Sequence, residues 1–135
     1  MTDLMELASR VAAREGPDRE LDALIGVAVA GYFLGEPRYP SAERRYGYVD
    51  KEGCRVEPGN GAADRLIPLY TASLDAAMTL VPEEYGFQVD GYKREWWASL
   101  SAEDGFNASA RTPALALTAA ALRARAHQGT AHVEQ

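Results

Sequence analysis

The run Tyr85-Gly86-Phe87-Gln88-Val89-Asp90-Gly91-Tyr92-Lys93-Arg94-Glu95-Trp96-Trp97 decides the fold class. Apolar and polar residues alternate around Asp90-Gly91, a dipeptide that readily adopts the positive φ values of a two-residue type I′ turn between twisted strands. The pattern predicts a β-hairpin turning at Asp90-Gly91. Val89 then pairs with Tyr92, Phe87 with Arg94 and Tyr85 with Trp96. Tyr85, Phe87, Val89, Tyr92 and Trp96 fall on a core-facing side interrupted only by Arg94. Gln88, Lys93, Glu95 and Trp97 share the other side, where Trp97 is the one large apolar side chain. Because a sheet face carrying such a residue is usually covered, Trp97 is expected beneath a helix.

Working outward, Phe106, Ala108 and Ala110 alternate with Asn107 and Ser109 and predict a last strand. Thr112-Pro113 supplies an N-cap and an N1 proline to an alanine-rich helix with Leu115, Ala119, Leu122 and Ala126 in line. Arg123 and Arg125 suit its C-terminal dipole end, and residues 129–135, without apolar periodicity, are expected to form a disordered tail. Upstream, Ser73 caps a short helix bearing Leu74, Met78 and Val81 and stopped by Pro82. Leu66-Ile67-Pro68-Leu69-Tyr70 suits an edge strand. Residues 45–49 and 54–56 flank Asp50-Lys51-Glu52-Gly53 as a second hairpin, bounded by loops at 36–43 and 57–61. Thr2 is placed to cap a first helix over about 3–15. Asp18 is placed to cap a second, on which Leu21, Leu24, Ile25, Ala28 and Tyr32 recur at helical spacing, ending near Gly31 or Gly35. The expectation is an α+β fold: a mainly antiparallel sheet packed by N-terminal, central and C-terminal helices as a layered sandwich. Residues 1–128 are read as one domain.

The chain has 135 residues, 47% hydrophobic and 25% charged, a composition suited to one globular domain. Cys54 is its only cysteine, so neither an intrachain disulfide nor paired-cysteine metal spacing is open to it, and a reducing compartment is expected. The N-terminus lacks the basic and apolar segments of a signal peptide, and no run approaches the ~18 apolar residues of a membrane span. A formal net charge of −6 opposes non-specific attraction to nucleic-acid backbones.

Candidate chemistry is sparse. His127 and His132 are the only histidines and fall at or beyond the end of the last predicted helix, away from any rigid constellation that a metal site or a nucleophile–histidine pair requires. Cys54 beside Arg55 reads as a small strand residue, and Glu83-Glu84 as a solvated turn. Gly59-Asn60-Gly61 lacks the lysine and hydroxyl residue of a phosphate loop. No catalytic residue, cofactor or metal is expected. Arg44, Arg45, Tyr46 and Tyr48 interleave cations with aromatics in a way that can stack on bases, although ordinary strand packing explains them as well. With Trp97, these four residues are the candidates for contact with a partner.

Residues 70–82, taken with Thr112-Pro113-Ala114-Leu115-Ala116-Leu117 and Ala120-Ala121-Leu122-Arg123-Ala124, resemble the phage α/β/α-sandwich family of small phage and prophage proteins, and Gly16-Pro17-Asp18-Arg19-Glu20-Leu21-Asp22 is similar to its N-terminal helix entry. The resemblance covers most of residues 6–126, and the longer stretch at 36–61 departs from it. It implies phage origin, α–β–α layering and a bacterial host cytoplasm, and it carries no catalytic residue with it. The expected function is that of a non-enzymatic accessory protein binding a macromolecule, foremost a protein. One specific version is a counter-defence inhibitor whose acidic surface occupies a basic cleft of a host defence protein. The alternatives are a nucleic-acid-binding accessory protein and a small enzyme with a site that the motifs do not reveal. Oligomeric state is left open.

Overall fold

Side-chain oxygens start most of the helices. In the computed structural model, which describes residues 3–35, 46–49, 52–56, 67–101 and 105–134, Asp3 accepts from the Met5 N–H at 2.9 Å and opens α1 (Leu4–Ala12). Asp3 therefore holds the cap position expected of Thr2. Asp18 accepts from the Leu21 N–H at 3.2 Å and opens α2 (Arg19–Val29). Ser73 accepts from Ala76 at 3.3 Å and opens α3 (Leu74–Met78). Thr112 accepts from Leu115 at 3.2 Å and opens α4 (Pro113–Glu134), with Pro113 in the first helical position.

The chain forms two compact units, one of residues Met1–Leu21 and Leu69–Gln135 and the other of Asp22–Pro68. The second holds a three-stranded antiparallel sheet of β1 (Tyr32–Leu34), β2 (Tyr46–Val49) and β3 (Arg55–Val56), in that order. The hairpin expected at 45–56 is present, with Tyr48 opposite Val56 and Val49 opposite Arg55. Tyr32 does not continue α2. Gly31, at φ +80°, ends that helix, and Tyr32 becomes the first residue of β1 opposite Tyr48. Residues 67–70 are not a strand, and the chain turns there directly toward α3. The expected loops at 36–43 and 57–61 lie outside the described residues.

The first unit is built on a second antiparallel sheet, ordered β4 (Gly86–Tyr92), β5 (Glu95–Ser101) and β6 (Phe106–Ala110). Ala98, Leu100, Ala108 and Ala110 are buried on one face, against which α4 packs; α1 and α3 pack on α4 in turn. This explains the composition of α4. Residues 114–122 are buried all round, and alanine at 114, 116, 119, 120 and 121 lets the surrounding elements approach the helix axis. Thr118, fully buried within it, donates to the Tyr70 carbonyl at 2.9 Å. Buried Thr71 accepts from the Asp18 N–H at 2.8 Å, tying the start of α2 to the turn before α3. The expected α+β class with antiparallel sheets packed by helices is what the chain adopts.

Two expectations at the C-terminus are corrected. The helix continues to Glu134, so residues 129–134 are helical backbone instead of an irregular tail. Arg123 and Arg125 consequently lie mid-helix, and their guanidinium groups serve carbonyls of other elements. Arg123 donates to Asn107 of β6 and Arg125 to Leu80 after α3, each at 2.7 Å.

The β4–β5 hairpin forms, but its turn is Lys93-Arg94. Tyr92 pairs with Glu95, Gly91 with Trp96, Asp90 with Trp97 and Phe87 with Leu100. Lys93 and Arg94 have φ values of 49° and 65°, the two left-handed conformations of a type I′ turn. A turn at Asp90-Gly91 would have set Ala98 and Leu100 against Glu83 and Val81, around Pro82, which cannot donate to a ladder. The longer hairpin pairs every residue of β5 and buries both side chains, which offsets left-handed strain of ~1–2 kcal/mol per non-glycine residue. Gly91 serves close approach instead of turning. A Cβ there would fall 2.4 to 2.6 Å from Trp96 ring atoms, so the indole lies directly over the glycine backbone.

Candidate functional site: the outer face of the β4–β5–β6 sheet

Strand alternation divides this sheet sharply. Phe87, Val89, Trp96, Ala98, Leu100, Phe106, Ala108 and Ala110 share the helix-covered face, as the pairing of Val89 with Ala98 and of Ala98 with Ala108 requires. Gln88, Asp90, Tyr92, Glu95, Trp97, Ser99, Asn107 and Ser109 share the other, and every one of them is exposed. No helix among the described residues lies over Trp97, which is 39% exposed, so its expected burial is corrected. That expectation rests on a sheet face with a large apolar residue usually being covered. Here α4, α1 and α3 all gather on the single apolar face.

Moving the turn also changes Tyr92. Because the strand runs straight through Asp90-Gly91, Tyr92 keeps step with Gln88 and Asp90 and leaves the core face expected for it; it is 67% exposed. Trp97, flanked by Asp90 and Ser109 on the neighbouring strands, lies diagonal to Tyr92, roughly 7–8 Å away between Cα atoms in such a ladder. Lys93 Nζ sits 5.4 Å from the Tyr92 ring centroid, a cation–π contact on the rim of the same face. Gln88 donates to Asp90 at 2.9 Å. The result is an aromatic pair on a rigid strand platform, bordered by hydroxyls, the amides of Gln88 and Asn107 and charges of both signs.

The opposite face has two clefts at its margins. Arg94, Trp96, Arg111 and Glu15 line one of about 380 Å³ at the turn end. Met5, Phe106, Asn107, Arg123 and His127 line another of about 450 Å³ beside the start of β6. His127 is no tail residue, since on α4 its ring packs 5.3 Å from that of Phe106 of β6, and Phe106 in turn lies 6.1 Å from Tyr85. Among the described residues, no group of three or more histidine, cysteine, aspartate or glutamate side chains converges as a metal site.

Of the remaining sequence-selected residues, Tyr46, Tyr48 and Cys54 lie in the other unit. Arg44 and Arg45 fall outside the described residues. Tyr46 pairs with Leu34 on β2, and half-buried Tyr48 packs against Tyr32 with ring centroids 6.5 Å apart. Burial, and secondarily the neighbouring Tyr48 phenol, raises the Tyr32 pKa above its usual 10.0. Tyr48 therefore has a packing role. Cys54 is exposed ahead of β3, and Glu83 and Glu84 occupy an exposed turn, where Glu84 accepts from Gln128. Trp97 stands out in the sequence as a candidate for this face, whereas Tyr92 and Lys93 do not, because their place depends on the turn. The one available signal was Pro82, which limits how far β4 can extend upstream.

No helix among the described residues is long and apolar enough to cross a membrane. Compared with known protein families, curated proteins and solved structures, the chain matches none, so its phage-family resemblance rests on the quoted residues alone.

Proposed function

We propose that this chain is a non-enzymatic accessory protein of phage or prophage type that binds a protein partner through the outer face of its β4–β5–β6 sheet. The observation that carries this reading is the exposure of Trp97 and Tyr92 side by side on a sheet face that no helix among the described residues covers. Exposed aromatics on a rigid scaffold lose little conformational entropy on binding and are frequent interface anchors. The family resemblance and the net charge of −6 support a more specific version. In it, the protein acts in the host cytoplasm as a counter-defence inhibitor, its acidic surface occupying a basic cleft of a host defence protein.

The Trp97→Ala/Tyr92→Ala double variant tests the surface. Each side chain is at least partly solvated, so each substitution should cost less than ~1.5 kcal/mol of stability, against ~3–5 for a buried large-to-small change. The folded variant should fail to capture the partner that the parent retains from host lysate. A variant that melts far below the parent, or one that still captures the same partner, would refute the assignment.

A further inference from the structure

We propose that strand β4 is a self-association edge, and that two copies of this chain join β4 to β4 antiparallel, fusing their sheets into one. This goes beyond the outer-face reading and does not depend on it. Among the described residues β4 is the outermost strand of its sheet, seven residues long without proline or bulge, and Gly86, Phe87, Gln88, Asp90, Gly91 and Tyr92 along it are exposed. A long regular edge of this kind is a template for pairing. The other edge, β6, is engaged: α1 packs against it, and Arg123 donates to the Asn107 carbonyl.

The turn fixes which backbone groups are offered. A two-residue type I′ hairpin closes on a hydrogen-bonded pair, here Tyr92 and Glu95, and antiparallel ladders alternate. Tyr92, Asp90, Gln88 and Gly86 therefore direct their N–H and C=O groups toward β5. Phe87, Val89 and Gly91 direct theirs outward. A two-fold axis through Val89 pairs Val89 with the partner's Val89 and Phe87 with the partner's Gly91, each through both outward groups. On the helix-side face, Phe87 is 40% exposed and Val89 half-buried, so this register covers apolar surface that a single copy leaves in water. On the outer face Gln88 meets the partner's Asp90, the same amide–carboxylate pairing that the strand already makes within itself at 2.9 Å. Beyond the strand ends, Lys93 and Arg94 come alongside the partner's Glu83 and Glu84, exposed acids of the preceding turn. Positive groups thus face negative ones at both ends, in a chain whose overall charge of −6 opposes self-association elsewhere.

Sedimentation equilibrium over a dilution series tests the association, and disulfide trapping tests the register. The expected result for the parent is a mass rising from 14.6 kDa toward twice that value. Val89→Pro removes an outward N–H and should weaken the dimer at least ~10-fold while circular dichroism remains that of the folded parent. With Cys54→Ser as background, Gln88→Cys protein mixed with Asp90→Cys protein should form interchain disulfides far more readily than either alone, because only the mixture sets two thiols opposite each other. A parent that remains at 14.6 kDa throughout would overturn the proposal, as would trapping no greater in the mixture than in the separate proteins. None of these readouts involves Trp97 or Tyr92, so failure here is distinguishable from failure of the outer-face assignment.

Discussion

Gly91 and Trp96 show how one missing side chain can set a local arrangement. The indole lies where a Cβ on residue 91 would be, so Gly91→Ala forces the ring or the strand to shift. We expect a cost of ~1–3 kcal/mol by chemical denaturation, typical of overpacking. The cost should shrink in a Trp96→Leu background, which removes the ring that the methyl meets, and equal costs in the two backgrounds would refute the contact as its origin. Tyr32 supplies a second residue-level case. Its raised pKa, caused first by burial and then by Tyr48, means that folding disfavours the phenolate. That contribution is complete below the unfolded value of about 10 and is lost as pH rises through the folded value. Stability should therefore fall on alkaline titration, and Tyr32→Phe should flatten the fall; a variant with the parent's alkaline profile would rule out Tyr32 as a source.

At the level of elements, the β4–β5 turn sets ladder length against local strain. Lys93 and Arg94 both hold positive φ without being glycine. Replacing them by Asn-Gly supplies residues suited to a type I′ turn, and should stabilise the fold by about 1–2 kcal/mol with pairing unchanged. A loss of stability, or cross-strand proton contacts that no longer link residues 92 and 95, would show that the turn is held there for another reason. The caps behaved differently. Asp18, Ser73 and Thr112 were identifiable from sequence because capping depends on a residue and the few that follow it, and each accepts the hydrogen bond that its position predicts. Tyr32 fitted helical spacing from Leu21 onward, yet Gly31 in the left-handed region ends the helix before it.

For the whole molecule, charge and aromatic placement pull in different directions. Lys93 lies over Tyr92 on the outer face, and Arg94 and Arg111 line a cleft with Trp96 and Glu15 on the other, local cation–aromatic patterns compatible with stacking on nucleic acid, while the chain as a whole carries −6. Long-range repulsion from a polyphosphate backbone should dominate at moderate ionic strength. Single-stranded and duplex oligonucleotides should therefore migrate unretarded with this protein in gel-shift assays. Salt-sensitive retardation abolished by Trp97→Ala would instead make the outer face a nucleic-acid surface.

The α+β class, the start of three helices, the strand at 106–110 and the alanine helix were determined by local sequence, because periodicity, caps and N1 proline act over a few residues. Sequence also placed Phe87, Val89 and Trp96 on one face, since strand alternation preserves that set under either turn. Tertiary structure decided the register, and with it the positions of Tyr92 and Trp97. Asp90-Gly91 is a good turn locally, but Ala98 and Leu100 find both a strand partner and burial beneath α4 only when the chain reverses at Lys93-Arg94. Whether a helix would cover Trp97 was likewise beyond local pattern. It depended on α1, α3 and α4 collecting on one face of the sheet, where burial of their apolar surfaces left the other face to water.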